Sequence, residues 1–108
     1  MLIAELNHVK TKPLSELLPI EIDGLNRRRA QELFGISQPT CHRYLVCLLQ
    51  ERPKHFDFIP RNQYFSRGTL EAIFQFQQLV ERFQYEGAVS RIKTHMENYY
   101  YELQESNR

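Results

Sequence analysis

The chain has 108 residues, of which 42% are hydrophobic and 25% charged, and its 14 basic and 13 acidic side chains leave a net charge of +1. This length allows one small domain with a modest core, the balance is globular rather than disordered, and no apolar run approaches the ~20 residues of a membrane helix. The apolar stretch Met1–Leu6 is too short for a secretory signal, so the expectation is a cytoplasmic protein without a membrane partner.

An N-terminal arm, residues 1–22, holds two short apolar pieces, Leu2–Leu6 and Leu14–Ile20, separated by Lys10-Thr11-Lys12-Pro13. Pro13 suits the first turn of a short helix over Leu14–Leu18, Pro19 ends it, and Ile20-Glu21-Ile22 alternates as a brief extended piece. Asp23 is an N-cap for a helix running to Phe34, with Leu25, Ala30, Leu33 and Phe34 on its apolar face. Gly35 supplies the left-handed residue that stops it, Ile36 returns to the core, and Ser37 caps a second helix with Pro39 in its first turn. That helix runs to about Gln50, with Cys41, Tyr44, Leu45 and Leu48 on one side. Two helices joined by a tight glycine turn form a helix-turn-helix.

After Pro53 the period changes. His55-Phe56-Asp57-Phe58-Ile59 alternates as a strand does, Pro60-Arg61-Asn62 is a turn, and Gln63-Tyr64-Phe65 reads as the returning strand of a hairpin wing. Ser66 caps a third helix from Arg67 to about Tyr85, with Leu70, Ile73, Phe74, Phe76, Leu79, Val80 and Phe83 on a wide apolar face. Glu86-Gly87 breaks or bends it, and a last helix from Ala88 to about Glu105 carries Val89, Ile92, Met96, Tyr99 and Leu103 at coiled-coil spacing. The predicted fold class is mainly α: a winged helix-turn-helix over residues 23–67 with a small β-hairpin wing, and C-terminal helices over residues 68–108 for dimerisation.

The charge is segmented. Between Arg27 and Arg67 eight basic residues face three acidic ones, a net +5, whereas the flanks sum to −4. A basic centre with acidic flanks suits a chain in which one segment meets a polyanion and another does structural work. Cys41 and Cys47, six apart, fall on different helix faces and have no CxxC or histidine cluster beside them, so burial in a reducing compartment is expected. A phosphate loop, a G-x-S-x-G elbow and zinc-ligand spacing are all lacking, and His8, His42, His55 and His95 share no common spacing. No enzyme, metal or cofactor is expected.

The segment Ala30-Gln31-Glu32-Leu33-Phe34-Gly35-Ile36-Ser37-Gln38-Pro39-Thr40-Cys41-His42-Arg43-Tyr44-Leu45 gives each position a physical job. Ala30 is small so that two helices cross closely, Gly35 turns, Ile36 plugs the core and Ser37 caps. It resembles the helix-turn-helix of MerR-type and excisionase-type winged DNA-binding proteins, which often read A-x-E-L-x-G-I-S-x-x-T-x-x-R. The likeness extends through Tyr64-Phe65-Ser66, Leu70, Ile73, Gly87 and Ile92, and so spans about Asp23 to Met96. MerR proteins usually begin with this motif, whereas about 22 residues precede it here, and they carry an effector domain after the dimer helix, for which no residues remain. The resemblance therefore implies a regulator of transcription without a sensor domain.

On this reading the partner is double-stranded DNA with a palindromic operator, bound by a homodimeric repressor. Arg43 is the first candidate for base contact because a guanidinium takes guanine O6 and N7 with two bonds, with Gln38, Thr40 and His42 beside it. Arg28, Arg29, Tyr44, Lys54, Arg61 and Asn62 would hold the sugar-phosphate backbone. Phe76, Val80, Phe83, Ile92, Met96, Tyr99 and Leu103 would form the seam between two copies. Two other readings use the same fold, a protein–protein adaptor and an architectural accessory of recombination of the excisionase type.

Overall fold

In the computed structural model, which describes residues 9–106, the chain forms a 3-10 turn η1 (Leu14–Glu16), strand β1 (Gly24–Asn26) and helices α1 (Arg27–Phe34) and α2 (Gln38–Glu51). Strand β2 (Tyr64–Ser66) and a long bent helix α3 (Arg67–Ser106) complete it. The architecture is mainly helical, with one two-stranded antiparallel sheet. No helix among the described residues is long and apolar enough to cross a membrane. The expected apolar piece Leu2–Leu6 lies outside the described residues.

Helix boundaries follow from capping chemistry. The Arg29 N–H donates to Asn26 Oδ1 at 2.8 Å, so Asn26 rather than Asp23 caps α1, and residues 24–26 join the sheet instead. Gly35 ends α1 at φ 64°, and the Ile36 N–H reaches back to the Gln31 carbonyl at 3.1 Å. Ser37 caps α2 by accepting from Thr40 N–H at 3.3 Å, and Ser66 caps α3 by accepting from Thr69 N–H at 3.2 Å.

The hairpin wing expected over residues 55–65 does not form. β2 pairs with β1, with Gly24 opposite Ser66, Leu25 opposite Phe65 and Asn26 opposite Tyr64. Residues 55–59 are irregular, and His55 itself sits at φ 68°, outside any strand geometry. Phe56 and Phe58 alternate for a different reason. They are half-buried against the core, with Phe58 edge-on to Phe65 at 5.3 Å. Gly24 permits the ladder, since a Cβ there would lie 2.3 Å from the Phe65 carbonyl oxygen. Ile20-Glu21-Ile22 is a turn, not an extended piece, closed by the Ile22 N–H on the Pro19 carbonyl.

The arm is zipped onto the first limb of α3. Lys12 exchanges backbone bonds with the Gln78 amide at 2.8 and 3.0 Å, and its carbonyl also accepts from Gln75 Nε2 at 2.8 Å. The Leu14 N–H donates to Glu71 Oε2 at 3.0 Å, which seats the fully buried Leu14. Arg67 then clasps three carbonyls, Leu18, Pro19 and Ile22, at 2.7–2.9 Å.

The largest difference from expectation lies in α3. A straight helix of 40 residues would reach about 60 Å at 1.5 Å per residue, yet the longest dimension of the molecule is 41 Å. The chain reverses at Gln84 (φ 66°, ψ 175°), and the limbs 67–83 and 85–106 pack antiparallel as a helical hairpin. His95 Nε2 accordingly meets Gln75 Oε1 at 2.9 Å, and the Tyr99 phenol faces the Glu71 carboxylate. Gly87, expected to break the helix, serves close approach instead, because a Cβ there would lie 2.6 Å from Phe83 Cβ. The expected intermolecular seam is therefore intramolecular. Phe76, Ile92 and Met96 are 0% exposed within a single chain and Tyr99 is buried, while Val80, Phe83 and Leu103 are half-buried.

Two outcomes follow from this packing. Ile92→Ala should lower unfolding stability by about 2–5 kcal/mol, as expected for a truncated core side chain, with a urea midpoint independent of protein concentration. A midpoint that rises with concentration would restore the seam between copies. Burial pushes the Glu71 carboxyl above its ordinary value of 4.5 despite hydrogen bonds from Gln75 Nε2 and the Leu14 N–H that favour the charged form. The folded chain thus holds that proton more tightly than the unfolded chain. Its contribution to stability is complete below the ordinary value and is lost as pH rises through the raised one. Glu71→Gln removes this dependence, so wild type should lose thermal midpoint relative to the variant between pH 4 and pH 8. Parallel pH profiles would refute it.

Candidate nucleic-acid interface

Helix α2 is buried on one side and bare on the other. Cys41, Tyr44, Leu45, Cys47 and Leu48 are in the core, whereas Gln38, Pro39, His42, Arg43, Val46 and Gln50 are exposed. At 100° per residue these exposed positions fall on one face, with Gln38, His42, Val46 and the half-buried Leu49 along a single strip. The face stays open because the core contact of α2 with α3 comes from its other side, through Tyr44 set edge-on to Phe76 at 4.9 Å, and Arg43 alone reaches α3 from the edge of the exposed face.

Beside that strip runs a cleft of about 150 Å³, walled by α2 on one side and residues 58–61 on the other. Its floor is apolar, from Leu45, Val46, Leu49, Phe58 and Pro60, and its rim carries the cationic Arg27 and Arg61 with the His42 imidazole beside them. Arg27 is fixed at the mouth because its N–H donates to the Gln63 carbonyl at 2.8 Å, one step beyond the β1–β2 ladder. Its side-chain Nε is buried with no hydrogen-bond partner among the described residues. Arg61 holds a left-handed backbone at φ 83° at the tip of the loop, and the exposed Ile59 lies two residues before it.

Arg43 is exposed but not loose. Its guanidinium lies 3.9 Å above the Tyr85 ring, at the reversal of α3. Stacking of this kind holds the plane of a guanidinium while its N–H edges stay available for two parallel bonds. Tyr85 in turn sits edge-on to Phe76 at 5.8 Å, so the core fixes the platform on which Arg43 rests.

Gln38, His42 and Arg43 share the exposed face of α2, and Arg61 joins His42 across the cleft. Thr40 is half-buried and points away from this face, its hydroxyl accepting from Ser37 Oγ at 3.0 Å. Tyr44 is a core residue rather than a backbone contact. Its ring is buried on Phe76, and burial raises its hydroxyl pKa. Arg28 and Arg29 are exposed in the first turn of α1, with Arg28 loosely paired to Glu32 at 3.8 Å. Lys54 follows the C-terminal end of α2, away from the cleft lining, and Asn62 accepts the Tyr64 N–H at 3.0 Å, which makes it a turn residue as well as an exposed one. Arg67, counted within the basic centre, instead faces the arm.

Arg27, Val46, Leu49 and Phe58 were not singled out from the sequence. For Val46 a signal existed, since it lies one turn beyond His42 on the same strip. For Phe58 none did, because its place depends on a loop whose strand assignment was wrong.

Both cysteines are free and buried. Desolvation lifts the Cys41 thiol, and it pushes Cys47 up to about 11 with added repulsion from Glu51, so neither is a ready thiolate at neutral pH. Among the described residues no group of three or more His, Cys, Asp or Glu side chains is placed to hold a metal ion. Comparison with protein-family models, with curated proteins and with solved structures finds no match for this chain.

Proposed function

We propose that the chain is a sequence-specific double-stranded DNA-binding protein that regulates transcription, acting as a repressor by occupying its site. The observation that carries this reading is the bare face of α2. It presents Gln38, His42 and Arg43 near a capped N-terminus and is flanked across the cleft by Arg27 and Arg61, with few carboxylates nearby in sequence. A helix about 21 Å long, exposed along one side, has the dimensions of a major-groove reader. The motif read from the sequence as winged helix-turn-helix supports the assignment. Here the loop 58–61, rather than a hairpin, takes the place of the wing.

One chain holds the whole reading head. The homodimer and its palindromic operator lose their main support, because the expected seam is closed within the monomer, and a second copy would have to use another surface. The adaptor reading draws on the exposed apolar side chains Val46 and Ile59, 48% and 66% exposed, which a partner protein would cover.

The direct experiment is selection of duplexes from a random pool by the purified protein. Enrichment of a common sequence is the expected result, and binding no better than to random duplex would favour the adaptor. On the selected site, Arg43→Ala should cost about 1–3 kcal/mol and flatten preference at one base pair. Equal losses on selected and random duplex would remove Arg43 from base contact. Arg61→Ala should weaken all sequences alike and reduce the slope of log affinity against log salt by about one. An unchanged slope would place Arg61 off the phosphates.

A further inference from the structure

We infer that Val46 is a specificity-determining residue that packs against the 5-methyl group of one thymine. This rests on the DNA-binding reading above and deepens it. Beyond Pro39 in the first turn, Val46 is the one aliphatic side chain of α2 that is exposed, since Leu45 and Leu48 are buried and Leu49 is half-buried. It stands in mid-strip, one turn beyond His42, with the cationic Arg27 and Arg61 across the cleft that it lines. A phosphate has nothing to gain from a valine at that place. A base edge has, provided it is apolar.

Only one group in the major groove meets that condition. Adenine, guanine and cytosine present donors and acceptors there, whereas thymine adds a methyl. The floor of the cleft, formed by Leu45, Leu49 and Phe58 beside Val46, continues the apolar surface, so the methyl meets hydrocarbon on more than one side. His42 and Arg43 lie within one turn of Val46 and supply hydrogen bonds for the neighbouring base pairs. The strip then offers polar side chains, Gln38 and His42, toward the start of α2 and the apolar Val46 and Leu49 beyond them.

The test removes the methyl from either partner. In the selected duplex each thymine is replaced in turn by deoxyuridine, which differs only by that methyl. For wild type one replacement should weaken binding about fourfold, the factor expected for burying a single methyl group. Val46→Ala should bind the thymine and deoxyuridine duplexes equally, the pattern of a coupled pair in a double-mutant cycle. The position is exposed and alanine is the better helix former, so this variant keeps its fold, which far-ultraviolet circular dichroism confirms. Arg61→Ala should retain the fourfold discrimination at lower overall affinity.

A selected site without thymine, wild type indifferent to every deoxyuridine, or Val46→Ala with undiminished discrimination would each overturn the assignment while leaving DNA binding intact. Failure to enrich any sequence overturns the DNA reading and this inference together.

Discussion

A ladder of three residue pairs joins Gly24–Asn26 to Tyr64–Ser66 and thereby closes everything between them, α1, α2 and the loop that follows, into one excursion from the start of α3. Gly24 makes the approach possible, and Phe65, fully buried in the middle of the second strand, anchors it. From that closure the rest is placed. The Arg27 backbone is held on Gln63, so α1 begins at the mouth of the cleft. Phe34 stacks on Phe74 at 5.9 Å and its carbonyl accepts from Gln77 Nε2, which sets the far end of α1 on the first limb of α3. With both ends of α1 fixed, the Gly35 turn leaves α2 one course, its core side on Phe76 and its polar side to solvent.

The other half of the molecule is built on polar groups taken out of water. Thr11, Gln75, His95 and Glu71 form a connected cluster between the arm and both limbs of α3. Buried polar groups are costly unless each finds a partner, and here they find one another across three segments distant in sequence. This cluster and the three carbonyls held by Arg67 bind the arm by hydrogen bonds as much as by Leu14 and Leu18. The opposed charges of the two halves fit this division. The acidic flanks belong to the arm and the helical hairpin, and the basic centre to the excursion that carries α2.

Local chemistry was legible in the sequence. Gly35, Ser37 with Pro39, and Ser66 mark a stop and two starts, because a left-handed residue, a capping hydroxyl and a missing N–H act within one turn of chain. What crosses the chain was not. Asp23 and Asn26 are equally good caps, and only the ladder decides between them. The alternation in residues 55–59 arises from Phe56 and Phe58 docking singly on the core, a pattern that a strand would also produce. The stripe from Ile92 to Leu103 truly has coiled-coil spacing, but spacing names a facing helix and not the molecule it belongs to. On the bare face of α2, the exposure of Gln38, His42 and Arg43 is legible because it follows from helical period. Tyr44 was misplaced because a phenol serves core and surface alike.

The reversal at Gln84 has no local author. At φ 66° and ψ 175° Gln84 occupies backbone space that is essentially glycine's, at a cost of about 1–3 kcal/mol, with no glycine, proline or capping hydroxyl at that residue to lessen it. Helix direction there is a collective decision, taken by every side chain that gains cover when the second limb folds back. Arg43 depends on that decision, since Tyr85, the ring beneath it, follows the reversal immediately. The orientation of a surface guanidinium is thus underwritten by the cooperativity of the whole core.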